Sequence, residues 1–351
     1  MSSYKEFLND TNVMIKEAER NYWVTECAKL SRLDDKMKWK AIEKLTNQHS
    51  GNPVQPIRDL KEGEQVYLFE DSEIVSEMEK HHIRVPDPDI QTENILQFLQ
   101  CHEVSARNYT ADDLMNAPIS EHEVEVTFGT GSSTPGPDSI SSTLLDKADR
   151  TMMKMCLLLL WNQAWSQGYF SKDWKSEDRV VIPKPGKNDY HECGSYRTIS
   201  ITSCLGKRFE RITSQRLVTI LSYHHFDPLQ FAYLKSRSTT QALLMVVEKV
   251  KQGLIDGNKA GVVFFDFTDA FGRVDRQCLL YKLAKDFGIT GKVFLHISSF
   301  LSDRMARVKV NGHYGDWILS MFGTSAGTNL GPLLFIIYMH DTPDRILPKF
   351  L

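Results

Sequence analysis

Asp266 stands near the end of residues 261–267, GVVFFDF, the strongest β-type run in the chain. A carboxylate that follows a largely apolar strand is costly to bury unless something pairs with it. A divalent cation is one such partner, since hard cations take oxygen ligands. Capping of the next helix is the alternative, and Asp269 and Asp275 fit that role as well. A second chemical signal is charge. Residues 179–216 hold eight Lys/Arg (Arg179, Lys184, Lys187, Arg197, Lys207, Arg208, Arg211, Arg216) against three acids, whereas residues 58–125 hold five against seventeen. A basic stretch beside phosphates releases counterions and gains affinity. A solvated charged face is the competing reading. The net charge of −3 decides little, because distribution matters more than the sum.

Other constellations are weaker. Residues 131–136 have the glycine spacing of a phosphate loop, but Pro137 and Asp138 replace the Lys and Ser/Thr that such a loop needs. The pairs His81-His82 and His224-His225 lack acids or cysteines at ligand spacing, so surface or packing roles suit them better. Cys193 near His191 reads as loop rather than zinc fragment. The six tryptophans read as packing residues, with base stacking a minority role.

These residues need positioning elements. The sequence pattern predicts helices over residues 12–48, 71–83, 140–168, 205–222, 239–255 and 277–287, and the apolar run of residues 331–339 a buried helix. Hairpins are expected over 57–70 and over 307–312 with 315–320, and strands over 179–183 and 261–267. Pro86 and Pro88 mark a linker, and residues 129–137 a loop. Helices and strands in this mixture imply an α+β fold. No stretch reaches the roughly 18 apolar residues of a membrane span. The start, MSSYKEFLND, lacks a secretory pattern, and the six cysteines are scattered, so an intracellular protein with free thiols is expected.

Five segments, in order, resemble the reverse transcriptases of non-LTR retrotransposons of the jockey type. VVFFDFTDAFGRVDRQCLLYKL is similar to their first catalytic motif, TPGPDSI to their opening loop, and VVIPKPGKNDYHECGSYRTISITSCLGKRFERI to their fingers strands. QFAYLKSRSTTQALL resembles the segment before the palm, and GTSAGTNLGPLLFIIYMHD the loop and helix that contact template and nucleotide. The likeness covers residues 117–351, and residues 1–100 are less specifically similar to the linker that precedes the polymerase.

The resemblance implies a partial right-hand polymerase: a mainly helical N-terminal region (1–116), fingers (117–250) and an incomplete palm (251–351). It implies magnesium held by Asp266 and the carbonyl of Phe267. It also implies a nucleotide site with Lys184 and Arg197 on the triphosphate, Phe271 under the sugar, and Ala326 and Gly327 at the nucleotide. The ligands would be an RNA template, a DNA primer and deoxynucleotides, joined by two-metal nucleotidyl transfer. A bulky Phe271 disfavours the ribonucleotide polymerases of similar palm design. The sequence departs from the pattern too. It stops before the aromatic-Ala-Asp-Asp hairpin that supplies two further aspartates. Ala326 stands for the usual Gln, Gly272 for Asp, Thr198 for Pro, and Ala232, Leu234 and Ser236 for Gly, Arg and Gly. The expectation is a polypeptide inactive by itself. A non-catalytic nucleic-acid-binding relic or a domesticated interaction protein is the alternative.

Overall fold

A computed structural model describes residues 54–61, 64–83, 93–108, 115–129, 134–223 and 226–342, all within the unit that spans residues 54–351. The helical reading of residues 12–48, the Pro86/Pro88 linker and His224-His225 lie outside the described residues. In chain order the elements are β1 (Ile57–Lys61), β2 (Glu64–Leu68), α1 (Asp71–His82), α2 (Glu93–Arg107), α3 (Glu121–Glu125), α4 (Ser142–Lys147), α5 (Arg150–Ser166) and α6 (Lys172–Lys175). Then follow β3 (Glu177–Pro183), β4 (Tyr196–Thr202), α7 (Cys204–Tyr223), α8 (Thr239–Ile255), α9 (Arg276–Lys285), α10 (Gly291–Leu301), β5 (Arg304–Val310), β6 (His313–Tyr314), β7 (Ile318–Ser320) and α11 (Gly331–Met339).

The main sheet runs β4-β3-β5-β6, with β7 also on β5. β3 is antiparallel to β4, with Ile182 opposite Arg197, and parallel to β5, with Arg179 opposite Val308. On β5, Arg304, Ala306, Val308 and Val310 are buried while the residues between them are half-covered, the period of two expected when one face packs. That face closes a small core with the β1–β2 hairpin and α1, through Ile57, Leu68, Ile74, Met78 and Tyr196. A larger core lies among the helices. The Trp161 ring stacks on Phe209 at 5.6 Å and 2°, and Phe170 on the same ring at 6.1 Å and 7°. His296, fully buried 4.4 Å from Phe209, is pushed down to about 3 by burial and then by the charges of Lys175 and Arg216. It is therefore a neutral aromatic plate at ordinary pH.

Most expected elements form, and three differences are instructive. The helix read over 140–168 is two, because Ala148 is extended and Asp149 caps α5 by accepting from the Met152 N–H. Helix α10 went unread although Lys292, His296 and Ser299 recur at helical spacing; eight of its eleven residues are buried. The third concerns residues 261–267, which form no strand. Residues 258–267 have no regular structure, and Phe264 is 86% exposed. A strand preference is a preference for packing on neighbouring strands. No described strand pairs with this segment. Helix α8, just before it, matches its expected bounds but buries no residue.

Buried charges tie the two cores together. Glu177, inaccessible at the start of β3, takes Arg179 at 2.8 Å and Arg304 at 3.2 Å. Burial pushes its carboxyl up, but Arg179 and Arg304 outweigh this and hold it down at about 2. Arg179 also donates to the His82 carbonyl at the end of α1 (2.5 Å) and to Ser320 Oγ on β7 (3.0 Å). Arg276, at the start of α9, donates to the carbonyls of Leu301 (2.9 Å), Phe322 (2.8 Å), Gly323 (2.9 Å) and Ser320. Glu210 on α7, also fully buried, accepts from the Asn329 N–H at 2.9 Å. Burial raises its carboxyl to about 7, against the pull of Arg304.

Two stability predictions follow from these groups. Glu177→Gln leaves two buried guanidinium groups short of a counter-charge, and breaking such a cluster costs about 3–5 kcal/mol. It is expected to lower the urea midpoint accordingly; an unchanged midpoint refutes the role given to the cluster. The Glu210 prediction concerns pH. Between pH 4.5, its ordinary value, and about 7, the folded form holds a proton that the unfolded chain has released. Stability should therefore fall as pH rises through that window. His296 works in the opposite sense, losing stability as pH falls below its ordinary 6.5. Comparison of Glu210→Gln with the parent at each pH cancels the His296 contribution. The variant should gain relative to the parent between pH 5 and 7, which paired urea titrations would detect.

Candidate nucleotide and metal site

The turn of residues 323–330 is where the site is built. On one side the Gly323 N–H donates to the Val274 carbonyl (2.8 Å) and the Thr324 N–H to the Phe271 carbonyl (3.1 Å). On the other side the Ala326 carbonyl accepts from the Ser200 N–H of β4 at 2.9 Å. Gly327 has φ +107°, and a Cβ there would lie 2.9 Å from the Ser200 carbonyl oxygen. Only glycine allows that approach. At Gly323 (φ +86°) a Cβ would come within 2.9 Å of the Phe271 carbonyl oxygen. The far end of the turn is clamped by α7. Besides Glu210, Ser214 Oγ donates to the Asn329 carbonyl (3.0 Å), and Asn329 Nδ2 donates to the Lys207 carbonyl (2.8 Å).

Three of the seven expected site residues, Phe271, Ala326 and Gly327, meet at this turn, while Arg197 and Lys184 stand further along the β3–β4 pair. Phe271 is half-buried, its ring 4.8 Å from Phe335 on α11 and 6.2 Å from Tyr233. Ala326 and Gly327 reach β4 through the contacts above. Arg197 projects from the outer face of β4, two residues before Ile199, whose Cγ2 would lie 3.6 Å from a Cβ on Gly327. Among the described residues its guanidinium has no partner. Lys184 follows β3 at the same end of the β3–β4 pair; its N–H donates to the Ser195 carbonyl (2.9 Å) and its Nζ to the Gly194 carbonyl (2.8 Å). Arg58 on β1 steadies the intervening loop through Asp189 at 2.5 Å.

Asp266 and Phe267 are not brought in. Both are exposed, in the segment that forms no strand, so Asp266 is not at a strand tip as the sequence reading expected. Of the neighbouring acids, Asp275 does cap α9, accepting from the Cys278 N–H at 2.7 Å. Asp269, with φ +53°, lies over Gly272, where a Cβ would meet its Oδ2 at 2.3 Å. The described residues do not complete a magnesium site. No group of three His, Cys, Asp or Glu side chains converges among them. One carboxylate and one carbonyl leave most of about six oxygen positions unfilled.

The basic stretch also divides in a way charge counting could not show. Arg179, Arg208 and Arg216 are buried and paired with Glu177, Asp146 (2.7 Å) and Glu123 (2.7 Å). Their charge is spent inside the protein. Lys187 and Arg197 are exposed, and Lys184, Lys207 and Arg211 are partly accessible. Arg211 lines a groove of about 390 Å³ with Gln215, Tyr233 and Asn329, next to the clamped turn. Glu210, Asn329 and Arg276 were not foreseen. The signal for Glu210 was its place beside Phe209 and near Ile212, within a helix face too apolar for a solvated acid.

Residues 182–350 match the model of the reverse transcriptase (RNA-dependent DNA polymerase) family. The chain is 31% identical over 211 residues to a probable RNA-directed DNA polymerase from transposon BS of Drosophila melanogaster, covering 60% of this chain and 23% of that protein. It is 32% identical over 188 residues to the RNA-directed DNA polymerase from mobile element jockey of the same fly, covering 53% and 20%. A Pol polyprotein from the type-1 element R2 of Popillia japonica is 25% identical over 222 residues, covering 62% and 29%. The chain thus spans less than a third of the length of each of these relatives. The matched region starts in β3 and runs through the clamped turn, so residues 182–350 carry a reverse transcriptase domain, similar to that of the jockey-like, non-LTR retrotransposon polymerases.

Proposed function

We propose that this domain forms the nucleotide- and template-facing part of an RNA-directed DNA polymerase, with an RNA template, a DNA primer and deoxynucleotides as its ligands. The observation that carries the reading is the double attachment of the 323–327 turn, to Phe271 on one side and Ser200 on the other. It sets an aromatic residue and a glycine backbone on one turn, beside the strand that carries Arg197. Such an arrangement suits a nucleoside triphosphate. Arg197 would hold the phosphates as a planar fork and Lys184 as a point charge. Phe271 would lie under the sugar, and Ala326 and Gly327 would bring backbone to the nucleotide. The groove of Arg211, Gln215 and Tyr233 would take the template strand, by phosphate attraction and base stacking. Residues 117–250 would be the fingers and 251–351 part of the palm, after an N-terminal region of residues 1–116. Asp266 and the Phe267 carbonyl would face magnesium, which supplies Lewis acidity to phosphoryl transfer when bound by a full ligand set.

Two measurements test this. Titration with a fluorescent deoxynucleoside triphosphate should give saturable binding. Arg197→Ala should weaken it about 10-fold or more, the worth of a charge-assisted hydrogen bond. Arg208→Ala, whose charge faces Asp146, should not weaken it in protein that remains folded. Equal effects of the two would sink the site. Primer extension on an RNA template with magnesium is the second measurement. The 351-residue chain is expected to incorporate nothing, because the described residues supply too few carboxylates. Incorporation that Asp266→Ala abolishes would reverse that expectation while keeping the nucleotide site.

A further inference from the structure

A polar cavity of about 450 Å³ opens between α2, the residues just after α5, and α10. Small-molecule sites span about 300–1,000 Å³. Packing sets its walls. Gly168, with φ +60°, lies so close to α10 that a Cβ there would be 2.3 Å from Leu295 Cβ. His102 ties α2 to α10: its Nε2 lies 3.0 Å from the Ile289 carbonyl oxygen, and its ring meets Phe294 edge-on at 4.5 Å. Several polar groups at this space still have bonds to give. Arg107, exposed at the end of α2, has no partner among the described residues. Glu103, one turn earlier, accepts from Ser298 Oγ at 2.9 Å, and its other oxygen has no described partner. Lys175 is only 3% exposed. Its ammonium donates to Ser302 Oγ at 3.3 Å and lies 6.0 Å from the Tyr169 ring, both on the cavity wall. An ammonium has three hydrogens, so two of them lack a partner among the described residues. Burial holds this amine down at about 8, against the pull of Asp303 and with the help of Arg304 and Lys172. An anion beside it would offset that burial.

We propose that this cavity binds a small phosphate monoester whose organic part carries hydroxyls and a flat ring, the class of a free ribonucleoside monophosphate. Charge selects the phosphate. Arg107 supplies a planar fork and Lys175 a point charge, which together balance the roughly two negative charges of a monoester. Glu103 disfavours a bare anion, because a second negative group beside it is repelled. Its free oxygen instead accepts from a sugar hydroxyl. Tyr169, 41% exposed on the wall, offers a ring on which a base can stack. Gln167 adds an amide donor and acceptor for the base edge. The cations here are two groups beside an acid, not a basic stripe that tracks a backbone, so a free nucleotide suits the site better than a strand. None of these residues belongs to the 323–330 turn or its partners, so the inference stands apart from the polymerase reading.

Calorimetric titration of the 351-residue chain with adenosine monophosphate should give saturable binding. Arg107→Gln should weaken it about tenfold or more, the worth of a charge-assisted hydrogen bond. Because Arg107 is exposed, this variant should unfold in urea at the parent's midpoint, which confirms that it folds. Lys175→Met, which removes the buried charge and keeps its bulk, should weaken binding to a similar degree. Adenosine and inorganic phosphate, each lacking half of the recognised groups, should both bind more weakly than the monophosphate by about tenfold or more. Two crossed controls separate this cavity from the candidate site at the 323–330 turn. Arg197→Ala should leave the monophosphate titration as it is, and Arg107→Gln should leave the deoxynucleoside triphosphate titration as it is. The absence of saturable binding overturns the proposal. So do equal affinities for adenosine and its monophosphate, indifference to Arg107→Gln, loss of binding with Arg197→Ala, or tighter binding of a 5′-phosphorylated oligoribonucleotide than of the free nucleotide.

Discussion

The fold rests on one buried carboxylate. Glu177 begins the strand that sits between β4 and β5, and both of its oxygens are taken by arginines from different parts of the chain. An isolated ion there would be costly in a low-dielectric interior. Paired, it lets Arg179 reach on to the end of α1 and to β7. Arg276 continues the pattern by gathering carbonyls from α10, β7 and the residues after it. The small core under the sheet and the large helical core are thereby fixed to each other by directional bonds. Apolar packing alone is non-directional and would leave their relative setting looser.

That fixing matters because the candidate site is made of backbone. The turn of residues 323–330 presents a glycine, an alanine and carbonyls rather than a set of reactive side chains. Its placement depends on what holds it at three points: the Phe271–Val274 stretch, Ser200 on β4, and Glu210 on α7. Each of these elements is anchored by the charges described above or by the aromatic stack around Phe209. A displacement of α7 would move Asn329, and with it the edge of the groove that Arg211 lines. A polar acid kept in a fully buried position, with its carboxyl raised to about 7, is a costly way to hold one backbone N–H. The cost is intelligible if the position of that turn is what the fold must secure.

How much of this the sequence disclosed follows from the physics of each signal. Amphipathic periodicity revealed α1, α7 and α9, because each has one face toward a core, and an unbroken apolar run revealed α11. Helix α10, buried at eight of eleven positions, was not read. Alternation exposed the β5 region, and the resemblance supplied β4, whose sequence YRTISIT is too polar to stand out by itself. Lys184, Arg197, Phe271, Ala326 and Gly327 came from family order alone, and the meeting of Phe271, Ala326 and Gly327 at one turn rests on bonds that no spacing rule contains. Counting charges gave the wrong weight to Arg179, Arg208 and Arg216, since sequence does not say which arginines face a carboxylate inside.

The strand read over residues 261–267 shows the limit most clearly. Local preference there is as strong as anywhere in the chain, and the residues still take no regular form. Helical preference is satisfied within one segment, because each N–H finds a carbonyl four residues back. Strand preference is satisfied only by another strand, since the bonds lie between chains or between distant parts of one. A β-type sequence is thus a conditional statement about a neighbour, and here no described strand meets the condition. The same reasoning separates two kinds of importance in this molecule. Residues 258–267 bury little and can contribute little to the stability of the unit, yet they carry Asp266, the acid that the sequence pattern singled out first. Glu177 and Arg276 touch no expected ligand, yet Arg276 holds the carbonyl of Gly323, at the start of the 323–330 turn.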